Sequence, residues 1–133
     1  MKRDMELVRK ILFYVEGNYV AGQKWLREIN IDGYDNDVIT EHVLLAYEDG
    51  LLQDIKNIST LGCTAYWVGN LSNAGYDLLD KIRSETVWNK TKTVIKEKGL
   101  PLVTGTISTI ANAFISAAAE GIANSILKNG GII

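Results

Sequence analysis

A helix-like stretch followed at once by two short strand-like segments constrains this chain more than any other feature. Residues 39–52, "ITEHVLLAYEDGLL", repeat apolar side chains at helical spacing and reach Gly50, a residue type that often follows the last helical turn. The segments "LLQDIKN" and "TAYWVGN" then alternate or are rich in β-forming residues, with the turn-like "ISTLGCT" between them. The sequence therefore predicts a helix that leads directly into a β-hairpin.

The residues before this helix predict one more helix and a short strand. Met5, Val8, Ile11, Leu12 and Val15 form one apolar stripe, and Gly17 is a plausible end for the first helix. Ile29 and Ile31 then alternate with polar neighbours before an Asp-Gly turn, which predicts a strand. Asp35 or Asn36 can cap the start of the next helix.

Three helices are predicted after the hairpin. Ser72 caps "NAGYDLLDKIR", Ser84 caps "ETVWNKTKTVIKEKG", and the residues after Pro101 form one long helix of small side chains. A helix followed by a two-stranded hairpin is the winged-helix arrangement, in which the helix reads DNA and the hairpin is the wing. We therefore expect an α+β, mostly helical fold: a winged helix-turn-helix with additional C-terminal helices. The expected domains are residues 1–71 (winged helix), 72–99 (two supporting helices) and 100–133 (an apolar helix for dimerisation).

Composition argues against most kinds of catalytic site. The 133 residues include one cysteine, Cys63, and one histidine, His42, so a disulfide within the chain and a Cys/His metal cluster are excluded by count. His42 is expected to pack against the sheet and to hydrogen-bond with backbone, and no Gly-rich phosphate loop is present. We expect no enzyme activity, no catalytic or metal-binding residues and no cofactor. The opening residues lack the pattern of a signal peptide, so the cytoplasm is the expected compartment.

Three stretches carry a family resemblance: "MKRDMELVRKIL", "HVLLAYEDGLL" and "LSNAGYDLLDKIRSETVWNKTKTVIKEKG". Over residues 1–99 the chain resembles a family of uncharacterised bacterial and phage proteins, catalogued as a domain of unknown function. Its members open with Met-Lys-Arg-Asp, carry a His before apolar residues and Gly-Leu, and then show Leu-Thr-x-x-Gly and Thr-Val-Trp blocks. The block threonine is Ser72 here, and the usual Gly-His pair is Gly75-Tyr76. The resemblance implies a winged-helix fold and brings no activity with it.

The charge of the predicted reader helix conflicts with DNA binding. Residues 1–50 carry 6 basic and 10 acidic side chains, and residues 28–55 contain neither Lys nor Arg. In helical register the side chains that face DNA or a partner are Asp37, Thr40, Glu41, Leu44 and Tyr47, with Lys56 on the hairpin. The fold favours a small DNA-binding transcriptional regulator. The charges favour the alternative, a protein-protein interaction module whose acidic and apolar reader helix docks a protein partner.

The C-terminal helix leaves three interpretations open. Residues 102–119 carry no charge, which approaches the length of a membrane span, but Thr, Ser and Asn are frequent there and Glu120 follows. Alternating steps of three and four instead predict the seam of a homodimer. Its members are Ile107, Ile110, Phe114, Ala117 and Gly121. Packing of this helix on its own domain is the third interpretation.

Overall fold

The computed structural model describes residues 1–128, which form an α+β, mostly helical fold, as the sequence predicts. The elements are α1 (Met5–Asn18), α2 (Asn36–Glu48), β1 (Ile55–Asn57), β2 (Tyr66–Val68), α3 (Asn73–Ile82), α4 (Glu85–Lys98) and α5 (Thr104–Lys128). The chain divides into two compact units, the first being Met1–Asp80 and the second beginning at Lys81.

Helix α1 begins at a side-chain cap and buries the predicted apolar stripe. The Asp4 carboxylate accepts from the backbone N–H groups of Glu6 at 2.9 Å and Leu7 at 3.3 Å, two donors that the first turn leaves without partners. Gly17 was predicted to end the helix, and this is wrong. The helix continues to Asn18, because the Tyr19 N–H still donates to the Val15 carbonyl at 2.9 Å.

Helix α2 turns His42, Val43 and Ala46 into the core of the first unit, as its register predicts. Asp35 occupies the N-cap position but forms no side-chain capping bond, contrary to the expectation from the sequence. Gly50 follows the carboxyl end of α2, as predicted. Gly50 has a φ of +77°, a conformation that glycine adopts without a Cβ clash, and the Leu51 N–H returns to the Ala46 carbonyl at 2.9 Å.

The hairpin pairs β1 with β2 in antiparallel register, with Ile55 opposite Val68, Lys56 opposite Trp67 and Asn57 opposite Tyr66. The strand predicted at Ile29 and Ile31 is not formed. The backbone pairs earlier, where Leu26 exchanges two hydrogen bonds with Val68, at 2.7 and 2.9 Å. Among the described residues no ladder continues beyond this bridge, and both isoleucines are half-buried.

The start of α3 is fastened to the end of α2 by a Leu-Ser-x-x-Gly block. The Ser72 hydroxyl accepts from the Gly75 N–H at 3.0 Å and donates to the Gly50 carbonyl, while the Ser72 N–H donates to the Leu51 carbonyl at 3.0 Å. Gly75 lies so close to Leu51 that a Cβ at this position would be 2.0 Å from the Leu51 carbonyl oxygen. Only glycine fits at this approach of backbone to backbone.

In the second unit α4 packs on α5. Ser84 caps α4 by accepting from the Val87 N–H at 3.3 Å, and Gly99 ends it in the left-handed conformation. Trp88, Thr91, Ile95, Ile107 and Ala111 are buried. Within the described residues, no helix has both the length and the apolar character that crossing a bilayer requires.

Candidate functional site

The outer side of α2 presents the residues that the sequence assigned to a partner. Asp37, Glu41 and Tyr47 are exposed, while Thr40 and Leu44 are half-buried. They lie on the side opposite the buried Ile39, His42, Val43 and Ala46, so one helix brings all five together. The structure thus gives this surface, called the α2 face below, a mixed acidic and apolar character.

Carboxylates dominate the α2 face and its flanks. Residues 28–55 contain eight Asp and Glu side chains and no Lys or Arg. Within the described part of the chain, the side chains of Glu28, Asp37 and Glu41 form no hydrogen bond or ion pair. These three carboxylates therefore present unneutralised negative charge to whatever approaches this side of the unit.

Lys56 lies on the hairpin, where it and Arg27 are both close to the indole ring of Trp67. It pairs across the strands with Trp67, and its Nζ is 5.4 Å from the centre of the Trp67 ring. Arg27 follows the bridge residue Leu26, and its guanidinium lies 4.7 Å from the same ring. This row of Arg27, Trp67 and Lys56 was not identified from the sequence, since Arg27 and Trp67 are far apart along the chain.

A cleft of about 310 Å³ opens beside the N-terminal half of α2. Three segments form its walls: the first two turns of α2, residues 27–30, and residues 63–66 at the end of the hairpin. Asp37 and Thr40 from the α2 face line it, whereas Glu41, Leu44, Tyr47 and Lys56 do not. Ile39 and Val43 contribute apolar side chains, and Glu28 adds a second carboxylate. The cleft therefore combines an apolar lining with acidic groups.

His42 joins the start of α1 to α2 and is not arranged for acid-base chemistry. It is fully buried, its Nε2 accepts from the Asp4 N–H at 2.9 Å, and its Nδ1 lies 2.8 Å from the Val38 carbonyl. The neutral tautomer protonated at Nδ1 satisfies both bonds. Bonding of His42 to backbone is as expected, but its link to Asp4, 38 residues away, was not foreseen. Burial raises the pKa of Tyr34, and Asp4, through its charge and a side-chain hydrogen bond, and Glu6, through its charge, raise it further.

Cys63 is exposed and lies at the cleft, so it is not paired with the buried His42. Among the described residues, no group of three His, Cys, Asp or Glu side chains could hold a metal ion.

The predicted dimer seam on α5 divides into a covered and an uncovered part. Ile107 is fully buried, and Ile110 and Phe114 are half-buried, with the Lys90 Nζ 6.0 Å from the Phe114 ring. Ala117 and Gly121 are exposed. Two apolar side chains that the predicted seam did not include, Ile115 and Ile122, are 39% and 64% exposed.

Comparison with known proteins supports the resemblance of the opening, His-containing and Thr-Val-Trp stretches. A family model described as "Hypothetical protein (DUF2513)" matches residues 2–101. The chain belongs to this family. An "Uncharacterized protein" of Haemophilus influenzae is 36% identical over 116 residues, which cover 87% of this chain and 97% of the relative. No solved structure gives a significant match. The DUF2513 match includes α1 to α4 and stops before α5, so the α2 face, the cleft and the cation row all lie within the family region.

Proposed function

We propose that this chain is a winged-helix protein-interaction module that docks a basic surface of another protein on the α2 face. The observation that carries the proposal is the charge of residues 28–55, which hold eight carboxylates without one Lys or Arg. Leu44 and Tyr47 add apolar surface next to these carboxylates. Aromatic and apolar side chains within a polar rim are typical of protein-protein interfaces.

Three features support the winged-helix part of the proposal. Helix α2 leads directly into the β1–β2 hairpin. The hairpin lies beside α2, since α2 contacts β2 and the Gln53 N–H donates to the Asn70 carbonyl next to the helix end. The bridge between Leu26 and Val68 adds a third short strand segment, as in a winged-helix sheet.

Electrostatics disfavour DNA on the α2 face. At ~5 Å and an effective dielectric near ~20, each contact between a carboxylate and a phosphate costs roughly 3 kcal/mol before salt screening. Base contacts also depend on phosphate contacts that hold the duplex in place, and those require cations. Asp37 and Glu41 would lie where a reader helix normally offers such cations. A basic protein surface gains from the same carboxylates.

The second candidate function is a DNA-binding regulator, and the cation row favours it. Arg27 and Lys56 lie on either side of Trp67 on the outer face of the sheet, where a wing meets the phosphate backbone. A homodimer formed through the exposed end of α5 would carry two such rows. Ile115 and Ile122 are seven residues apart, so they share one exposed face of α5, which would form such a contact although it differs from the face of the predicted seam.

The two candidates differ in the charge of the ligand that the α2 face accepts. Binding of a fluorescent lysine decamer and of a fluorescent DNA duplex is measured by anisotropy as salt rises, using the wild type and the double variant Asp37→Lys, Glu41→Lys. We expect the wild type to bind the decamer with an affinity that falls with salt and not to bind the duplex. The variant should lose the decamer and gain duplex binding. If the wild type binds the duplex with a steep salt dependence, the DNA-binding regulator replaces the interaction module.

A further inference from the structure

The cleft beside α2 lies where the sheet stops pairing. Leu26 and Val68 exchange two backbone hydrogen bonds, and continuing that register would place Glu28 opposite Tyr66 and Asn30 opposite Thr64. All four of those residues line the cleft instead. The cleft is therefore a gap between β2 and a segment that would otherwise be its neighbouring strand.

The gap leaves one edge of β2 without a backbone partner. Successive residues of an antiparallel strand point their N–H and C=O groups to opposite sides. Val68 points to Leu26, and Ala65 accepts from the Ile58 N–H on the β1 side at 3.0 Å. Tyr66 must then point its backbone groups to the Leu26 side, into the gap. Among the described residues, no backbone bond joins Tyr66 to residues 28–30. An unpaired strand edge of this kind accepts an added strand.

The side chains around the gap select what can be added. Ile39 and Val43 offer apolar contact, while Glu28 and Asp37 offer carboxylates with no hydrogen-bond or ion-pair partner in the described chain. Arg27 also lines the cleft, and its guanidinium carbon lies 4.7 Å from the centre of the Trp67 ring. A Lys or Arg side chain fits this combination, because its methylene stem packs on apolar side chains while its charged end meets a carboxylate.

We propose that the cleft binds an extended segment of a partner protein, which pairs with the Tyr66 edge of β2 and places a Lys or Arg side chain between Glu28 and Asp37. This inference rests on the proposed interaction function and gives it a specific anchor. Two residues of the α2 face, Asp37 and Thr40, line the cleft, so one partner can cover both surfaces.

The test uses the full chain and two blocked octapeptides that alternate arginine with valine. The second octapeptide is N-methylated at every other residue, which removes the hydrogen bonds of one strand edge. Binding is followed by the amide NMR shifts of the protein and by titration calorimetry. We expect the first peptide to bind and to shift the Tyr66 amide, and the methylated peptide to bind at least about tenfold more weakly.

Protein variants separate the cleft from the rest of the α2 face. The double variant Glu28→Gln, Asp37→Asn should weaken the unmethylated peptide by about tenfold, because the arginine loses both carboxylates. Asp77→Asn, which removes an exposed carboxylate of α3 outside both surfaces, is the matched control and should leave the affinity unchanged. Equal binding of the methylated peptide would overturn the strand pairing.

The failure of this inference and the failure of the proposed function give different results. If Glu41→Gln weakens the peptide while the cleft variant does not, and the shifts map to Leu44 and Tyr47, the cleft inference is overturned and docking on the α2 face still stands. If neither octapeptide binds, the cleft inference is overturned, and the lysine decamer then decides the proposed function separately. If the protein binds a DNA duplex but neither the lysine decamer nor the octapeptides, both the cleft inference and the proposed interaction function are overturned.

Discussion

Gly75→Ala should be among the most destabilising single substitutions in this chain. The added methyl group would lie 2.0 Å from the Leu51 carbonyl oxygen and 3.0 Å from its carbonyl carbon. Both atoms are backbone, so no side-chain rotation relieves the overlap. The neighbouring backbone is held by the Ser72 N–H bond to Leu51 and by the Ser72 hydroxyl bond to Gly50. To accommodate the methyl group, α3 must move away from the end of α2 and break these bonds.

The magnitude follows from what that movement breaks. Overpacking a filled site costs about 1–3 kcal/mol, and each lost hydrogen bond adds about 1 kcal/mol. A loss of roughly 3–5 kcal/mol is a large part of the stability of a typical domain, which is about 5–15 kcal/mol. Urea unfolding followed by circular dichroism measures this loss as a lower midpoint at constant slope.

Gly17→Ala is the matched control for that measurement. Gly17 lies within α1, its added Cβ would meet nothing within 4 Å, and its φ is not positive. Alanine there should stabilise the chain by about 0.5–1 kcal/mol, because glycine is the poorer helix former. If the free energy of unfolding of Gly75→Ala lies within about 0.5 kcal/mol of the wild-type value, the residue at position 75 does not need to be glycine for α3 to approach Leu51.

Three further predictions address separate parts of the chain. Thr91→Val should raise the free energy of unfolding by about 1 kcal/mol, because the Thr91 hydroxyl is buried without a hydrogen-bond partner among the described residues. The control Thr93→Val, at an exposed hydroxyl, should not raise it, and the urea midpoints of the two variants are compared. The pKa of Tyr34 is raised above 10.0, so folding favours its neutral form, and stability is lost as pH rises through that raised value; Tyr34→Phe should lessen this alkaline loss, and an unchanged pH profile of the urea midpoint would contradict it. We expect the wild type to be a homodimer in light scattering and the double variant Ile115→Ser, Ile122→Ser to be a monomer; a monomeric wild type, or a variant with the mass of a dimer, would exclude this end of α5 as the contact.

Local periodicity was sufficient to predict the helices. The prediction was wrong where a single residue, Gly17, was taken as a helix end. The stripe from Met5 to Val15 is buried as expected, because it depends only on neighbours one helical turn apart. Gly17 does not end α1, since a glycine inside a helix costs only about 1 kcal/mol and the Tyr19 N–H bond to Val15 continues the pattern. A helix end is therefore decided by hydrogen bonds that one glycine does not reveal.

Strand positions could not be predicted from alternation, because a strand is defined by its partner. Ile29 and Ile31 alternate as a strand would, but the pairing with Val68 falls on Leu26, more than 40 residues away along the chain. The cleft exists because of this shift, since it opens where the predicted strand fails to pair. The α2 face, which depends on helical register alone, was predictable residue by residue, while the cleft and the cation row were not.

The hydrogen bond between the Asp4 N–H and His42 gives a physical reason for two motifs that lie far apart in the sequence, the Met-Lys-Arg-Asp opening and the histidine before the apolar residues of α2. The Met-Lys-Arg-Asp opening ends in a residue whose carboxylate caps α1 and whose N–H donates to His42. The histidine begins the apolar stretch of α2, and its other ring nitrogen is bonded to the Val38 carbonyl. A leucine at position 42 offers neither a donor nor an acceptor, and an ionised carboxylate or a Lys or Arg side chain offers only one of the two, so none of these could serve both backbone groups. These motifs therefore hold α1 against α2.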